Sequence, residues 1–515
     1  MTDILTQHAQ IQGDKLAIVH DAPSGRLLTW TFEELEEKSN QLARVLFSLD
    51  MNPGSKIVWC GMNSPWIMAI GHAARKAGMV AVPLNYRLSP EEAAYVVDNS
   101  DAEIVIADAD YVGLFEEIRQ QIPKVRDILI FDGLPGPDMQ NMNDLVREMD
   151  MEALDFEPEG DASTMIYTSG TTGKPKGAVR GSGDPTQQAA LLAQIGYKPE
   201  DVYLTTGPLY HSGPGGFAAI AHALGNTVVI QKKFQPEDWL RLVDRYAVTS
   251  TFSAPTPIRM VCQLDRDIFD QYDVSSMRIM IANAAPWSWA LKMSYLERFP
   301  NESLYEVYGS TELGVNTILM PEDQVSRKGS CGKPAPGVVI TLYKENGEVI
   351  TEPNVPGEVF VQSASVYETY HKAGDKYEAD RKGNSHTVGD IAYFDEDGFY
   401  YICDRKKDMI ISGGMNIYPA EIEATLDHCP DVMDVAVIGI PSEDWGEAVH
   451  AIIVMATDSS ATEEDIIAYA REHLAGYKLP RSVSFTGEIP RNGSGKILKK
   501  ELRAPFWTDH ENAVL

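Results

Sequence analysis

Apolar positions along the first 310 residues follow two alternating periods. Thr31 and Glu34 have the spacing of a capping box, and an apolar stripe that includes Leu35, Leu42 and Val45 follows them at helical intervals. Lys56–Cys60 then reads as a strand, Pro65–Ala77 as a helix and Val80–Pro83 as a second short strand. Strand-like runs recur at Glu103–Ala107, Val202–Thr206, Thr227–Gln231, Val248–Phe252 and Arg278–Ala282, with helical patterns between many of them. This alternation predicts parallel sheets covered by helices.

Near residue 330 the pattern changes. Val338–Tyr343 and Glu348–Ile350 flank Asn346-Gly347, and Asp390–Phe394 and Phe399–Cys403 flank Asp397-Gly398. Both read as antiparallel hairpins, which predicts a small barrel or sandwich on the α/β part. After Asp404 comes a dense run of charge, Asp-Arg-Lys-Lys-Asp, and then a mixed helix and strand region to about residue 490. A domain boundary is placed there, giving units 1–404 and 405–515. The polar tail after Arg503 is expected to be poorly fixed.

Composition narrows the partners. The 515 residues are too many for one ordinary domain. Lys plus Arg number 44 against 75 Asp plus Glu, a net charge of −31. Such a chain is repelled by nucleic acid and by anionic membrane surfaces, so a polyanionic ligand needs a local cluster of positive charge or N–H groups. No basic-then-apolar leader opens the sequence, and no run approaches the roughly 18 apolar residues of a bilayer span. The five cysteines are dispersed without a CxxC pair. Together these features predict reduced thiols, a cytoplasmic location and no stable membrane insertion.

The richest chemical segment runs from Met165 to Gly177. An apolar strand leads into Thr168, Ser169, Gly170, Thr171, Thr172, Gly173, Lys174, Pro175 and Lys176. Glycines let backbone N–H groups converge on an anion, hydroxyls add donors and lysines add charge, which together suit a triphosphate. Gly170 and Gly173 are too close for the Walker spacing, and no G-x-G-x-x-G is present. A Ser/Gly linker is the bland alternative, and the lysines and the preceding strand argue against it.

Tyr167–Gly177 resembles the signature loop of the adenylate-forming superfamily, which includes acyl-CoA synthetases, carrier-protein adenylation domains and luciferases. Further segments match that family in order. Pro208–His211 is similar to its aromatic-His motif, implying an acyl-site role for His211. Ile281–Pro286 resembles the segment lining the adenine and acyl pockets, which implies nucleotide contacts from Asn283, Ala284 and Ala285; the family usually has glycines where Asn283 and Ala284 stand. Tyr305–Glu312 resembles the YGxTE motif. The resemblance implies that Glu306, Val307, Tyr308 and Gly309 line the nucleotide, that Tyr308 packs on adenine, that Thr311 contacts phosphate, and that Glu312 with Thr168 holds Mg²⁺. Thr387–Asp390 resembles the TGD motif with Val388 in place of Thr, implying ribose contact by Asp390 and, after it, Arg405.

Lys407 matches the family's hinge position, Gly413 and Gly414 match a loop lining the pantetheine tunnel, and Trp445 is a further implied CoA-binding residue. Pro490–Ile497 matches the C-terminal lysine motif, so Lys496 is the implied catalytic lysine, acting with Glu312, Thr311 and His211. Phe217, Thr256, Arg259, Trp287 and Val315 are the implied acyl-pocket positions.

The implied fold is a large N-terminal domain of two doubly wound αβα subdomains plus a small barrel-like subdomain, followed by a smaller mobile α+β domain. The implied activity is a carboxylic acid–CoA ligase using ATP, Mg²⁺ and coenzyme A on a fatty or other hydrophobic acid; a homodimer is compatible with it. A carrier-protein adenylation enzyme, a luciferase-like oxygenase and a non-catalytic ATP-binding regulator remain open alternatives at this point.

Overall fold

The computed structural model describes residues 3–154, 163–168, 174–181, 183–285, 287–457, 459–491 and 497–507. Among them the strands form four sheets, and no helix is long and apolar enough to cross a membrane.

One sheet of eight strands has Lys56–Cys60 near its middle, paired in parallel with Val80–Leu84 on one side and Ala102–Asp108 on the other. Ile57, Val58, Cys60, Val105 and Ile106 are fully buried, as continuous apolar runs require when both faces are covered. Next to Val80–Leu84 lies Thr164–Thr168, and the chain then turns back antiparallel as Lys176–Arg180, with Thr168 opposite Lys176.

A second sheet of nine strands runs through Val202–Thr205, Ser250–Ser253, Ile279–Ala282 and Leu304–Ser310 in parallel, then adds Gly314–Leu319 antiparallel. Its far edge is a hairpin the apolar pattern did not reveal. Leu16–Asp21 pairs with Leu27–Thr31 antiparallel and joins the sheet through Ile18 opposite Val228.

The helix Phe32–Ser48 starts at Thr31, whose hydroxyl accepts from the Glu34 N–H while the Glu34 carboxylate accepts from the Thr31 N–H, so the capping box forms in full. Its Leu35 and Leu42 share one buried cluster with Ile57 and Ile104 of the eight-stranded sheet and Val228 and Ile281 of the nine-stranded one. The two sheets therefore hold a common core.

The third sheet contains both predicted hairpins, Val339–Tyr343 with Val349–Ile350 and Asp390–Phe394 with Tyr400–Arg405, joined through Gly357–Gln362. The fourth, smaller sheet carries Ile410–Ser412, Met415–Ile417, Val432–Ser442, Gly446–Met455 and Ser482–Phe485. It has its own apolar cluster around Ile422, Val437, Val449 and Ile466.

The expectation of a loose tail after Arg503 is corrected through residue 507. Lys499–Trp507 is a helix. Leu502 packs at a buried group of Ala436, Val454 and Ile489, and the Trp507 indole donates to the Gly439 carbonyl at 3.2 Å. The segment is polar overall, but one apolar side suffices to dock it.

Candidate active site

The strand Leu304–Ser310 brings together residues from distant parts of the chain. Its register breaks between Tyr308 and Gly309, and a Cβ on Gly309 would run into the Gly314 carbonyl, so the close strand approach requires glycine. The Tyr308 hydroxyl donates to Asp390 Oδ2 at 2.6 Å, and Arg405 Nε lies 3.3 Å from Asp390 Oδ1. Asp390 and Arg405 face each other across an antiparallel pair, which fixes their spacing. Burial and then the adjacent Asp390 charge push the Tyr308 phenol well above its usual range, keeping it a neutral donor.

Glu306 lies in the same strand. Its carboxylate sits 2.6 Å from the Lys292 ammonium of helix Trp289–Arg298, in a buried ion pair. Burial raises the Glu306 carboxyl against the pull of Lys292. The side chain is thus committed to Lys292.

Asn283 follows the neighbouring strand. Its amide donates to the Val307 carbonyl and its side-chain oxygen accepts from the Ala284 N–H. Ala284 holds φ +74°, a left-handed conformation that costs a residue with a Cβ about 1–2 kcal/mol. The Asn283 side chain is thus part of what maintains the bend, which continues through Ala285. Trp287 packs edge-on against Tyr295 at 5.8 Å among Leu291 and Phe299, so its ring fills core behind the sheet.

A second group forms around Thr311 and Glu312. The Thr311 and Ser212 hydroxyls are 2.8 Å apart. Arg180 donates to the carbonyls of Thr311 and Ser365, the latter at 3.1 Å. The Tyr370 hydroxyl donates to the Glu312 carboxylate at 3.1 Å, and the Glu312 carbonyl accepts from the Tyr367 N–H at 2.7 Å. Arg180 and Tyr370 are site-shaping residues the motifs did not flag. The one hint was Arg180 at the end of the strand leaving the Lys-rich loop. Among the described residues, no three acidic, His or Cys side chains gather into a metal cage. A lone buried carboxylate fits Mg²⁺, which takes one or two protein carboxylates and completes its shell with water and phosphate oxygens.

Thr168 closes its strand opposite Lys176, and the Lys174 ammonium lies 4.7 Å from the Tyr95 ring centre. Ser169, Gly170, Thr171, Thr172, Gly173 and Lys496 lie outside the described residues.

On the acyl side, the His211 ring is 4.2 Å from that of Tyr210, at the start of helix Ser212–Ala223. Phe217 of that helix stacks on Phe252 at 5.4 Å, and a Cβ on Gly213 would strike the Phe252 ring. Thr256 and Arg259 stand on the helix Pro255–Cys262 that follows the Phe252 strand, and Val315 packs against the cluster holding Phe217, Phe252 and Leu209.

Lys407 occupies a turn between the third and fourth sheets. The N–H groups of Asp408 and Met409 donate to the Arg405 carbonyl at 2.9 and 3.1 Å. Gly413 and Gly414, at φ +57° and +77°, turn the hairpin between Ile410–Ser412 and Met415–Ile417. A Cβ on Gly413 would lie 2.8 Å from the Trp445 ring, and the Gly413 N–H donates to the Trp445 carbonyl at 2.8 Å. Trp445 is 48% exposed, with the Arg481 guanidinium 5.5 Å from its ring centre.

Comparison with known proteins gives consistent matches over the full length. The model of the AMP-binding enzyme family matches residues 5–371, and that of the AMP-binding enzyme C-terminal domain matches residues 421–496. A feruloyl-CoA synthase of Amycolatopsis is 33% identical over 486 residues, covering 92% of this chain and 94% of the relative. A long-chain-fatty-acid–CoA ligase of Mycobacterium tuberculosis is 31% identical over 506 residues, with 98% of each covered. The o-succinylbenzoate CoA synthetase of Bacillus subtilis, solved with its acyl-adenylate intermediate, superposes with a TM-score of 0.84 at 28% identity over 98% of both chains.

Proposed function

The chain belongs to the AMP-binding enzyme family, and from that premise we propose that it is an AMP-forming ligase joining a hydrophobic carboxylic acid, fatty or aromatic, to coenzyme A. The observation that carries this reading is the Tyr308–Asp390–Arg405 cluster, in which a phenol, a carboxylate and a guanidinium from two sheets converge beside Thr311 and Glu312. An aromatic face suits a purine, a buried carboxylate suits ribose hydroxyls, and a guanidinium suits phosphate.

The acid and ATP are both anionic, so charge must be neutralised before they meet. Thr168 and Glu312 would hold Mg²⁺, which supplies that neutralisation at the triphosphate when bound. Thr311 and the lysines 174 and 176 donate to phosphate oxygens, and Arg180 and Tyr370 hold Thr311 and Glu312 in place. The carboxylate oxygen attacks the α-phosphorus, the bond to pyrophosphate breaks, and Lys496 bridges the carboxylate and the phosphate as charge moves to the leaving group. No covalent enzyme nucleophile is needed. The domain after residue 404 then turns at Lys407, and the CoA thiol passes Gly413, Gly414 and Trp445 to attack the acyl carbonyl, releasing AMP.

The hydrophobic acid is supported by the apolar wall of Phe217, Phe252, Leu209 and Val315. The acids named for the relatives, feruloyl, succinylbenzoate and long-chain fatty, each carry an aromatic ring or a long alkyl chain. A panel of carboxylic acids in a CoA-dependent AMP-release assay tests the reading. Aryl or long-chain acids should turn over and short polar acids should not. No ATP–pyrophosphate exchange with any acid would overturn the ligase, and AMP release that ignores CoA would overturn the thiol acceptor. Lys496→Ala should abolish adenylation yet spare thioester formation from pre-made acyl-adenylate.

A further inference from the structure

The turn at Lys407 is gripped from both sides. On the near side, the Lys406 N–H donates to the Gly389 carbonyl at 2.7 Å, and the Lys406 ammonium lies 2.9 Å from Glu358 Oε2. Residue 406 is thereby tied to the third sheet. On the far side, Arg503 reaches back from the last helix. Its Nη1 donates to the Lys407 carbonyl at 3.3 Å and to the Asp408 carboxylate at 3.1 Å, and its Nη2 donates to the Asp408 carbonyl at 3.1 Å.

That helix is itself anchored. The Lys499 ammonium pairs with Glu423 at 2.9 Å, Leu502 packs on the strands below, and the Trp507 indole reaches Gly439.

The two grips differ in what a rotation does to them. The chain has only two soft torsions per residue. Turning φ or ψ of Lys407 carries its own carbonyl along with Asp408. All three Arg503 bonds therefore travel with the far body and survive the turn. Among the described residues the hydrogen bonds that span the joint include Asp408 and Met409 N–H to the Arg405 carbonyl, and Ala420 N–H to Asp404 Oδ2 at 2.9 Å.

We propose that Arg503 is a positioning residue that makes the far side of the hinge rigid, so that the domain turn is confined to the backbone of Lys407 and is passed undiminished to the segment leading to Lys496. Arginine is suited to this because its planar fork binds two carbonyls and a carboxylate at once, which the single ammonium of lysine cannot reproduce. The kinetic consequence rests on the two-step ligase reading; the geometric one does not.

Two measurements on the full chain test it together. Hydrogen exchange is followed at the peptide covering Asp408 and Met409, with strand Gly446–Met455 as the internal control for folding. The half-reactions are followed separately, adenylation by ATP–pyrophosphate exchange and thioester formation from pre-made acyl-adenylate. In Arg503→Ala the hinge amides should exchange about tenfold faster, the equivalent of one hydrogen bond to a charged group, while the control strand is unchanged. Maximal rates of both half-reactions should fall about tenfold with KM for ATP within about twofold, and Arg503→Lys should fall between the variant and the parent.

If Arg503→Ala also loosens the control strand, Asp408→Asn, which keeps the side chain's shape but removes its charge and one acceptor oxygen, is read by the same criteria. Hinge amides as protected as in the parent, or faster exchange with both half-reactions unaltered, would overturn the positioning role. A parent inactive in both half-reactions with every acid would overturn the ligase reading, while the exchange data would still decide the clamp.

Discussion

Around Tyr308 side chains hold one another, whereas around Gly413 the backbone does the holding and the side chains lie near solvent. In the first place a phenol, a carboxylate and a guanidinium arrive from separate strands, with the carboxylate buried between the other two. In the second, two left-handed glycines make a turn, and the large side chains beside it, Trp445 and Met415, are half exposed. The difference fits the tasks proposed for each. Stabilising charge that develops at a phosphorus demands dipoles fixed in advance, away from water. Admitting a long, flexible thiol substrate demands open backbone and little bulk. One region is built for placement, the other for passage.

Four experiments would break or sharpen that contrast. The largest effect should come from beneath the buried cluster. Lys292→Met leaves the Glu306 carboxylate without its partner and should cost about 3–5 kcal/mol of stability, while Lys292→Met with Glu306→Leu should recover most of it. Chemical denaturation measures both, and a double variant no better than the single one would contradict an isolated buried pair. Next is Asp390→Ala, which strips Tyr308 and Arg405 of their shared acceptor. Adenylation, read by pyrophosphate exchange, should fall on the order of 10²–10³-fold with thermal stability far less affected. A loss under tenfold would mean the cluster is scaffolding.

Gly413→Ala should show the opposite specificity. The new methyl meets the Trp445 ring and must adopt a left-handed backbone, a penalty of about 1–2 kcal/mol, so thioester formation should drop about tenfold while adenylation stays within about twofold. Equal loss in both steps would erase the contrast. The smallest effect belongs to Ala284→Gly. Relief of the left-handed strain is worth about 1–2 kcal/mol, but added freedom in the unfolded chain takes back about 0.4–1 kcal/mol. Calorimetry should therefore find a net gain between about 0 and about 1.6 kcal/mol.

What could be read in advance divides along physical lines. Lys56–Cys60 is found to the residue because a strand buried on both faces is a continuous apolar run bounded by polar residues. The capping box at Thr31 is legible because both partners lie within one turn. The hairpin Leu16–Thr31 escaped because its partner at Val228 is remote and its alternation is broken by His20 and Asp21. The last helix escaped because it is polar overall and interrupted by Pro505.

The candidate site shows the same divide. Tyr308, Glu312, Asp390 and Arg405 are named by local motif. Lys292, Arg180 and Tyr370 have no such mark. Lys292 becomes special only when helix Trp289–Arg298 folds over Glu306, and Arg180 only when the exit strand of the loop reaches Thr311.

The early hairpin also bears on how the chain is made. Leu16–Asp21 leaves the ribosome long before Val228 exists, and at roughly 5–20 residues per second the wait is roughly 10–40 s. A two-stranded hairpin alone is marginal in water, so for that interval its apolar edge has no sheet to join. Yield in a fast or chaperone-poor expression host should therefore be governed by how these first thirty residues are sheltered during synthesis.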